Sequence, residues 1–230
     1  MNHTKTIAFI LVLLPVLNFV IPHVIKLIWK KQFLRQISRT DKIYLTFDDG
    51  PDPHNTKEIL DLLKVYNIKA TFFVIGENAR INKGLIERMI IDGHTVSIHG
   101  NNHLHPWKVL PWRAMADIMQ CRKLLKEYGI RSNYIRPPFG KLNFFTMLYF
   151  LFSRLIFVHW NIDSLDYKCS DPKLLGEYLN KRIGKGKIIL LHDGRRKGTS
   201  PGKITIKGLE IYFNNSKFDP CLFSSLSLLN

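Results

Sequence analysis

The chain opens on an apolar run, Ile7 to Ile25 (IAFILVLLPVLNFVIPHVI), with no formal charge apart from a titratable His23. About 20 such residues suffice for a helix to cross a bilayer. No small-x-small cleavage pattern follows, and the sequence passes directly into KLIWKKQFLRQISR, so a retained anchor is expected rather than a removed leader. Pro15 and Pro22 interrupt helical hydrogen bonding and leave an interfacial or core helix as the alternative. After Asp41 the pattern changes. Short apolar runs alternate with helix-like stretches, the βαβ signature of a parallel sheet or barrel. Strands are expected at Ile43 to Phe47, Ala70 to Ile75, Thr95 to Ile98, Tyr134 to Arg136, Leu155 to Trp160 and Ile188 to Leu191, with a faint one at Phe218 to Leu222. Helices are expected to begin near Asn55, Asn78, Arg113, Asn143, Asp171 and Ile204. Residues 1–40 then read as anchor and basic linker, and 41–230 as one folded domain.

Charge adds a constraint on partners. Against 18 Asp+Glu stand 34 Lys+Arg, a formal +16, which attracts polyanions or anionic headgroups. The basic residues are scattered and form no nucleic-acid-binding motif, so a nucleic-acid partner is not expected. Lys26, Lys30, Lys31, Arg35 and Arg39 follow the apolar run and Lys5 alone precedes it. The positive-inside rule would place the following domain in the cytoplasm; the same basic cluster could instead lie on anionic headgroups, and a cytoplasmic and an extracytoplasmic placement both stay open. Cys121, Cys169 and Cys221 are odd in number and far apart, which indicates neither a disulfide framework nor a CxxC metal site.

Polar residues capable of chemistry fall just after the expected strands, whose C-terminal ends converge on one face in a β/α barrel. TFDDGP, Thr46 to Pro51, places two carboxylates at a strand end, although an Asp-capped turn would give the same letters. His99-Gly-Asn-Asn-His103 spaces two imidazoles so that they can grip one cation, and an added Asp completes three ligands with an open position. Arg136-Pro-Pro-Phe-Gly140 fixes a guanidinium after a strand, in position to orient a carboxylate. Asp163-Ser-Leu-Asp166-Tyr167 and Leu190-Leu191-His192-Asp193-Gly194 bring an acid and a histidine to the same face, where a carboxylate raises the imidazole pKa. Each motif alone has a structural explanation.

Together, in this order and at these separations, the five resemble the motifs of the NodB-type polysaccharide deacetylases, carbohydrate esterase family 4, from about Ile43 to Gly194. The resemblance implies an incomplete, seven-stranded TIM-like (β/α) barrel with the apolar segment as an N-terminal membrane helix. It also implies a metal-dependent hydrolase that removes N-acetyl groups from an amino sugar in peptidoglycan, a chitin-like polymer or a capsular polysaccharide. By position, Asp49, His99 and His103 match the metal ligands, for zinc or for cobalt, nickel or manganese. Asp48 matches the base that takes the proton of a metal-activated water, and Arg136 orients it. His192 matches the general acid, with Asp163 as its supporting carboxylate. Leu190, Tyr167 and Phe139 line the groove, and a backbone N–H near Phe139 holds the oxyanion. Gly100 stands where the family has Ser or Thr, so a bracing hydroxyl is missing for which Asn101 or Asn102 could substitute; Tyr167 replaces a Trp.

Two other enzyme readings and one from another class compete. A lipid-linked amino sugar, deacylated or deformylated at the membrane, would suit the anchor and the positive charge. A catalytically silent glycan-binding module would not need every metal, base and acid position filled. A glycosidase needs paired carboxylates about 5 to 9 Å apart across the bond, which adjacent Asp48 and Asp49 are ill placed to supply.

Overall fold

The computed structural model describes residues 5, 11, 13–194, 201–215 and 217–229, so positions 7–10 and 12 of the apolar run lie outside the described residues. Seven parallel strands form one curled sheet in the order β5-β4-β3-β2-β1-β7-β6. They are β1 (Ile43–Asp48), β2 (Thr71–Val74), β3 (Thr95–Ile98), β4 (Tyr134–Ile135), β5 (Ile156–Phe157), β6 (Ile162–Asp163) and β7 (Lys187–His192). Helices alternate with them: α1 (Ile21–Ile37) leads in, followed by α2 (Asn55–Val65), α3 (Gly76–Ile81), α4 (Lys83–Ile91), α5 (Pro111–Glu127), α6 (Phe144–Ser153), α7 (Pro172–Arg182) and α8 (Pro201–Phe213). The edge strands β5 and β6 are consecutive in the chain, and the short link between them spans the open seam of a half-barrel.

Two apolar layers hold the sheet. Along β1, Ile43, Leu45 and Phe47 face outward and pack with Ile59, Leu63 and Phe72 under the helices. The intervening Tyr44 faces inward, with Phe73, Tyr134, Val158 and Ile188. Burial on both faces explains why these strands read as continuous apolar runs rather than alternating ones. A fully buried Leu or Phe contributes about 1.5 to 3 kcal/mol from transfer alone, so these two layers dominate the stability.

Local chemistry sets the helix starts. Asn143 accepts from the Thr146 N–H while the Thr146 hydroxyl accepts from the Asn143 N–H, a capping box that opens α6. Asp171 caps α7 ahead of Pro172 at the first turn. Two expectations change. The faint strand at 218–222 is instead a 3-10 turn, Pro220–Leu222, after which Phe223 bridges Ile43 and Leu226 joins the inner layer. The strand Leu155 to Trp160 is shortened to Ile156–Phe157, because the chain leaves the sheet to cross the seam and re-enters as β6.

Residues 26–40, expected as a linker, are largely helical. Helical structure runs from Leu13 through Ile37, long and apolar enough by length and composition to cross a membrane. A π-helical stretch at Val16–Val20 lies where Pro22 withholds an N–H from the ladder. The far end of α1 buries Phe33 and Ile37 in the inner layer, and Trp29 stacks on Phe150 with ring centroids 6.3 Å apart.

Candidate active site

Strand register builds the site. Asp48 and His192 are partners across the β1–β7 pair, so their side chains leave neighbouring strand ends on the same face. His99 follows β3 and its N–H bonds the Val74 carbonyl; Arg136 follows β4 and its N–H bonds the Ile98 carbonyl. The β1 and β7 turns interlock, because a Cβ on Gly194 would fall 2.1 Å from the Asp49 carbonyl oxygen and one on Gly50 would meet the Asp193 carboxylate. Only glycine fits at either position.

Asp49 Oδ1 lies 3.2 Å from His99 Nε2 and 3.2 Å from His103 Nε2. Ligands bound at about 2.1 Å in tetrahedral geometry are separated by about 3.4 Å, so the spacing suits one small cation. The His99 Nδ1–H donates to the Arg136 carbonyl at 2.6 Å, which leaves the lone pair on Nε2, facing Asp49. Two imidazoles and a carboxylate, their candidate ligand atoms within 4.8 Å of one another, form a donor set that fits a divalent transition ion. Asp49 and His103 hold φ of 74° and 54°, left-handed conformations that cost roughly 1 kcal/mol or more each and collect at functional sites.

Beside this triad, Asp48 Oδ1 accepts from Arg136 Nη1 at 2.7 Å, and its Oδ2 lies 3.8 Å from His99 Nε2. The guanidinium is fully buried, sits 4.4 Å from the Phe73 ring centroid and also donates to the Thr46 hydroxyl. Burial alone would favour its neutral form, and the Asp48 carboxylate opposes that.

His192 is supported by Asp166. Its Nδ1–H donates to Asp166 Oδ1 at 2.7 Å, its backbone N–H donates to Oδ2 at 2.8 Å, and the Thr205 hydroxyl completes the carboxylate's shell. Burial lowers the His192 pKa, but Asp166, helped by Asp48 and Asp49, outweighs it and raises the value to about 9. The expectation that Asp163 plays this part is corrected: Asp163 Oδ1 accepts from the Leu165 N–H, and its carbonyl from the Tyr178 hydroxyl. Asp163 and Asp166 are three apart in a turn where Leu165 has φ 55°, so their side chains separate.

These groups surround a pocket of about 270 Å3, walled by Phe139, Tyr167, Leu190 and Trp160, with Asp163 and Lys141 at its edge. The Tyr167 ring meets His192 edge-on at 5.2 Å, and Phe139, at φ 60°, lies 4.7 Å from the His103 ring. Trp160 and Lys141 carried no motif and were missed in the sequence. So was Asp117, which accepts from the N–H groups of Asn101 and Asn102 at 3.0 and 2.8 Å and so braces the His99–His103 loop. Gly100, at φ 92°, leaves room for that carboxylate, because a Cβ there would fall 2.7 Å from Asp117 Oδ2. A buried acid among the apolar positions of α5 was the signal for it. Asp193 is also fully buried; burial, only partly offset by a hydrogen bond from the Thr56 hydroxyl, pushes its pKa up to about 7.

The family profile described as polysaccharide deacetylase matches residues 35–147. A peptidoglycan-N-acetylglucosamine deacetylase of Bacillus cereus is 31% identical over 162 residues, which cover 69% of this chain and 76% of that protein. Another deacetylase of the same name and organism is 32% identical over 152 residues, of which the match spans only 55% of its length. A chitooligosaccharide deacetylase of Bradyrhizobium is 31% identical, covering 69% of this chain and 73% of its own. Among solved structures, a peptidoglycan N-acetylglucosamine deacetylase superposes with a TM-score of 0.75 at 27% identity, over 82% of this chain and 87% of its own. Peptidoglycan deacetylase PdaC from Bacillus subtilis superposes with a TM-score of 0.68 at 27% identity, over 84% and 91%. With the strand order, the five motifs and these similarities in agreement, the chain belongs to the polysaccharide deacetylase family.

Proposed function

We infer that the protein is a metal-dependent N-deacetylase of an amino sugar in an envelope polysaccharide, peptidoglycan or a chitin-like or capsular polymer. The observation that carries this reading is the placement of Asp48 and His192 on adjacent strand ends, beside the Asp49, His99 and His103 cluster. A divalent ion held there, zinc by ligand type, would polarise the acetamido carbonyl and make water acidic enough to attack at neutral pH.

The chain's own groups do the rest. Asp48 takes the proton of the attacking water; Arg136 fixes one carboxylate oxygen and leaves the other toward the cluster. A backbone N–H near Phe139 stabilises the oxyanion, worth about 3 kcal/mol for one well-placed donor. His192 is protonated below its pKa of about 9 and hands its proton to the departing sugar amine, while Asp166 holds the ring in the donating orientation. Tyr167 and Leu190 pack around the acetyl methyl. The apolar helix before the barrel anchors the domain in a membrane.

The test is acetate release from chitotetraose and from peptidoglycan by zinc-reconstituted protein, compared with Asp48→Asn. Loss of a general base lowers the rate by about 10² to 10⁴. Undiminished release by Asp48→Asn, with the metal content unchanged, removes Asp48 from this role. Chelation should abolish release, and added divalent ion should restore it.

A further inference from the structure

Helix α6, with the sequence FFTMLYFLFS, carries no charged side chain. One of its faces is built into the domain: Thr146, Met147 and Phe150 are buried, and Phe150 stacks on Trp29 of α1. The opposite face is apolar as well, with Phe145, Leu151 and Phe152 exposed and Leu148 half-buried between them. The polar side chains of α6 are engaged within the protein. Thr146 is taken up in the capping box, the Tyr149 hydroxyl accepts from Arg122 Nη1, and the Ser153 hydroxyl donates to the Tyr149 carbonyl. A helix that meets water shows it a polar face, whereas one that is apolar all round is covered by protein or by lipid.

The leading helix continues this surface. The Phe144 N–H donates to Asn18 Oδ1 at 3.4 Å, and together with the Trp29–Phe150 stack this lays α6 alongside residues 18–29. On that stretch Val20, Ile21, Val24, Leu27 and Ile28 are exposed at helical spacing, an outer stripe of the segment long and apolar enough to cross a membrane. A groove of about 480 Å3 between the two helices is lined chiefly by Leu14, Leu17, Phe19, Phe144 and Phe145, so the two faces join through apolar side chains. Trp112, exposed beside them, meets the Phe145 ring edge-on at 6.4 Å, and tryptophan is a side chain favoured at headgroup level.

Charge selects what covers the surface. All 18 carboxylates lie outside residues 1–40 and 128–162, the stretches that carry the leading helix and α6, and the charged side chains within them are Lys and Arg alone. Lys141 and Arg154 flank α6 in sequence. A basic rim suits an anionic bilayer and opposes a second copy of this chain, whose matching face would be equally basic.

We propose that α6 is a second membrane contact, through which the barrel domain itself sinks the Phe145–Phe152 face into the headgroup–acyl boundary of an anionic bilayer, beside the leading helix. Lys141 edges the catalytic pocket and α6 starts three residues later, so the docked face adjoins the pocket rim and holds the pocket at the bilayer surface. This contact extends the anchoring by the leading helix and is independent of the chemistry in the pocket.

The unaltered full chain is reconstituted in vesicles of phosphatidylcholine and phosphatidylglycerol containing a phospholipid with a diazirine in its acyl chain, photolysed, and mapped by mass spectrometry. Label on residues 144–153 should be comparable to that on residues 13–28 and about tenfold above that on α2. Label on the leading helix alone upholds the anchor and overturns the α6 contact. Label on neither overturns both.

A depth measurement reads the same face at single residues. In a Cys169→Ser, Cys221→Ser background, which leaves only the buried Cys121, a nitroxide is attached at Phe152→Cys or at Val65→Cys. Phe152 is 83% exposed and Val65, on α2, is 78% exposed, so the two sites are matched in access. In the vesicles, collision with oxygen relative to a water-soluble nickel complex should be about tenfold higher at 152 than at 65. Equal ratios overturn the proposal, and so does exclusion of both reagents from 152, which means that protein covers the face. Should a labelled chain melt below the parent, the cross-linking arm, which uses no substitution, decides alone.

Discussion

His192 and Asp166 meet at 2.7 Å out of solvent, and that contact sets the working range of the proposed acid. Replacing Asp166 by Asn removes the charge that raises the imidazole pKa, so the basic limb of kcat/KM, expected near pH 9, should move to lower pH and the rate should fall by about 10² or more. Asp163→Asn should leave that limb in place, and a pH–rate profile of the two variants decides between the carboxylates. Asp117 acts at one remove. Its oxygens hold the N–H groups of Asn101 and Asn102, so Asp117→Ala should loosen the His99–His103 loop and weaken metal affinity about tenfold, as supporting partners of ligands typically do. Competition with a chromogenic chelator measures this. Gly100→Ser in the wild-type background should also weaken affinity, since the added side chain meets Asp117 in a left-handed position.

At the scale of elements, α1 joins two environments. Phe33 and Ile37 close the inner layer of the half-barrel, whereas Leu27 and Ile28 are exposed. Phe33→Ala should cost about 3 to 5 kcal/mol in chemical denaturation, the range for emptying an aromatic core position, and Leu27→Ala close to nothing. Equal small effects would mean that α1 is only an appendage. The strand ends divide the work similarly: β1 and β7 supply the proposed base and acid in register, β3 leads to the histidines, and β4 leads to the arginine. A one-residue slip in any of them would turn its catalytic side chain away from the pocket.

For the whole molecule, buried histidines set the pH dependence of stability. Burial lowers His94 to about 4, and the Ala70 N–H already occupies its Nδ1; burial likewise lowers His159 to about 3. Both bind protons more weakly folded than unfolded, so their contribution is full above about pH 6.5 and is lost as pH falls toward 4 and 3, on the order of 3 kcal/mol each. His192 has the opposite sign: raised to about 9, it stabilises fully below about pH 6.5 and loses that contribution as pH rises through 9. The metal-free protein should therefore melt highest near neutrality, and His159→Phe should flatten the acid limb. An acid limb unchanged in that variant would exclude His159 as its source.

Much of this was legible in the chain itself. The alternation of apolar runs and amphipathic stretches located six strands, because strands buried on both faces must be apolar throughout, and chemistry placed directly after each one marked the face where the site forms. Asp48, Asp49, His99, His103, Arg136 and His192 were named from the motifs they occupy. The two-residue β6 carries too little pattern to be seen, and the choice between Asp163 and Asp166 depends on a turn geometry that spacing does not encode. Asp117, Trp160 and Lys141 belong to no motif, and only packing brings them to the loop and the pocket. The fate of residues 26–40 was equally hidden, since a basic stretch with interspersed apolar residues after an apolar run reads the same whether it lies on headgroups or packs on a barrel. Local sequence specifies which residues are apolar and which can do chemistry. Which of two carboxylates reaches a histidine, and which end of the barrel the leading helix starts from, are long-range contacts that exist only once the sheet has curled and α1 has packed against it.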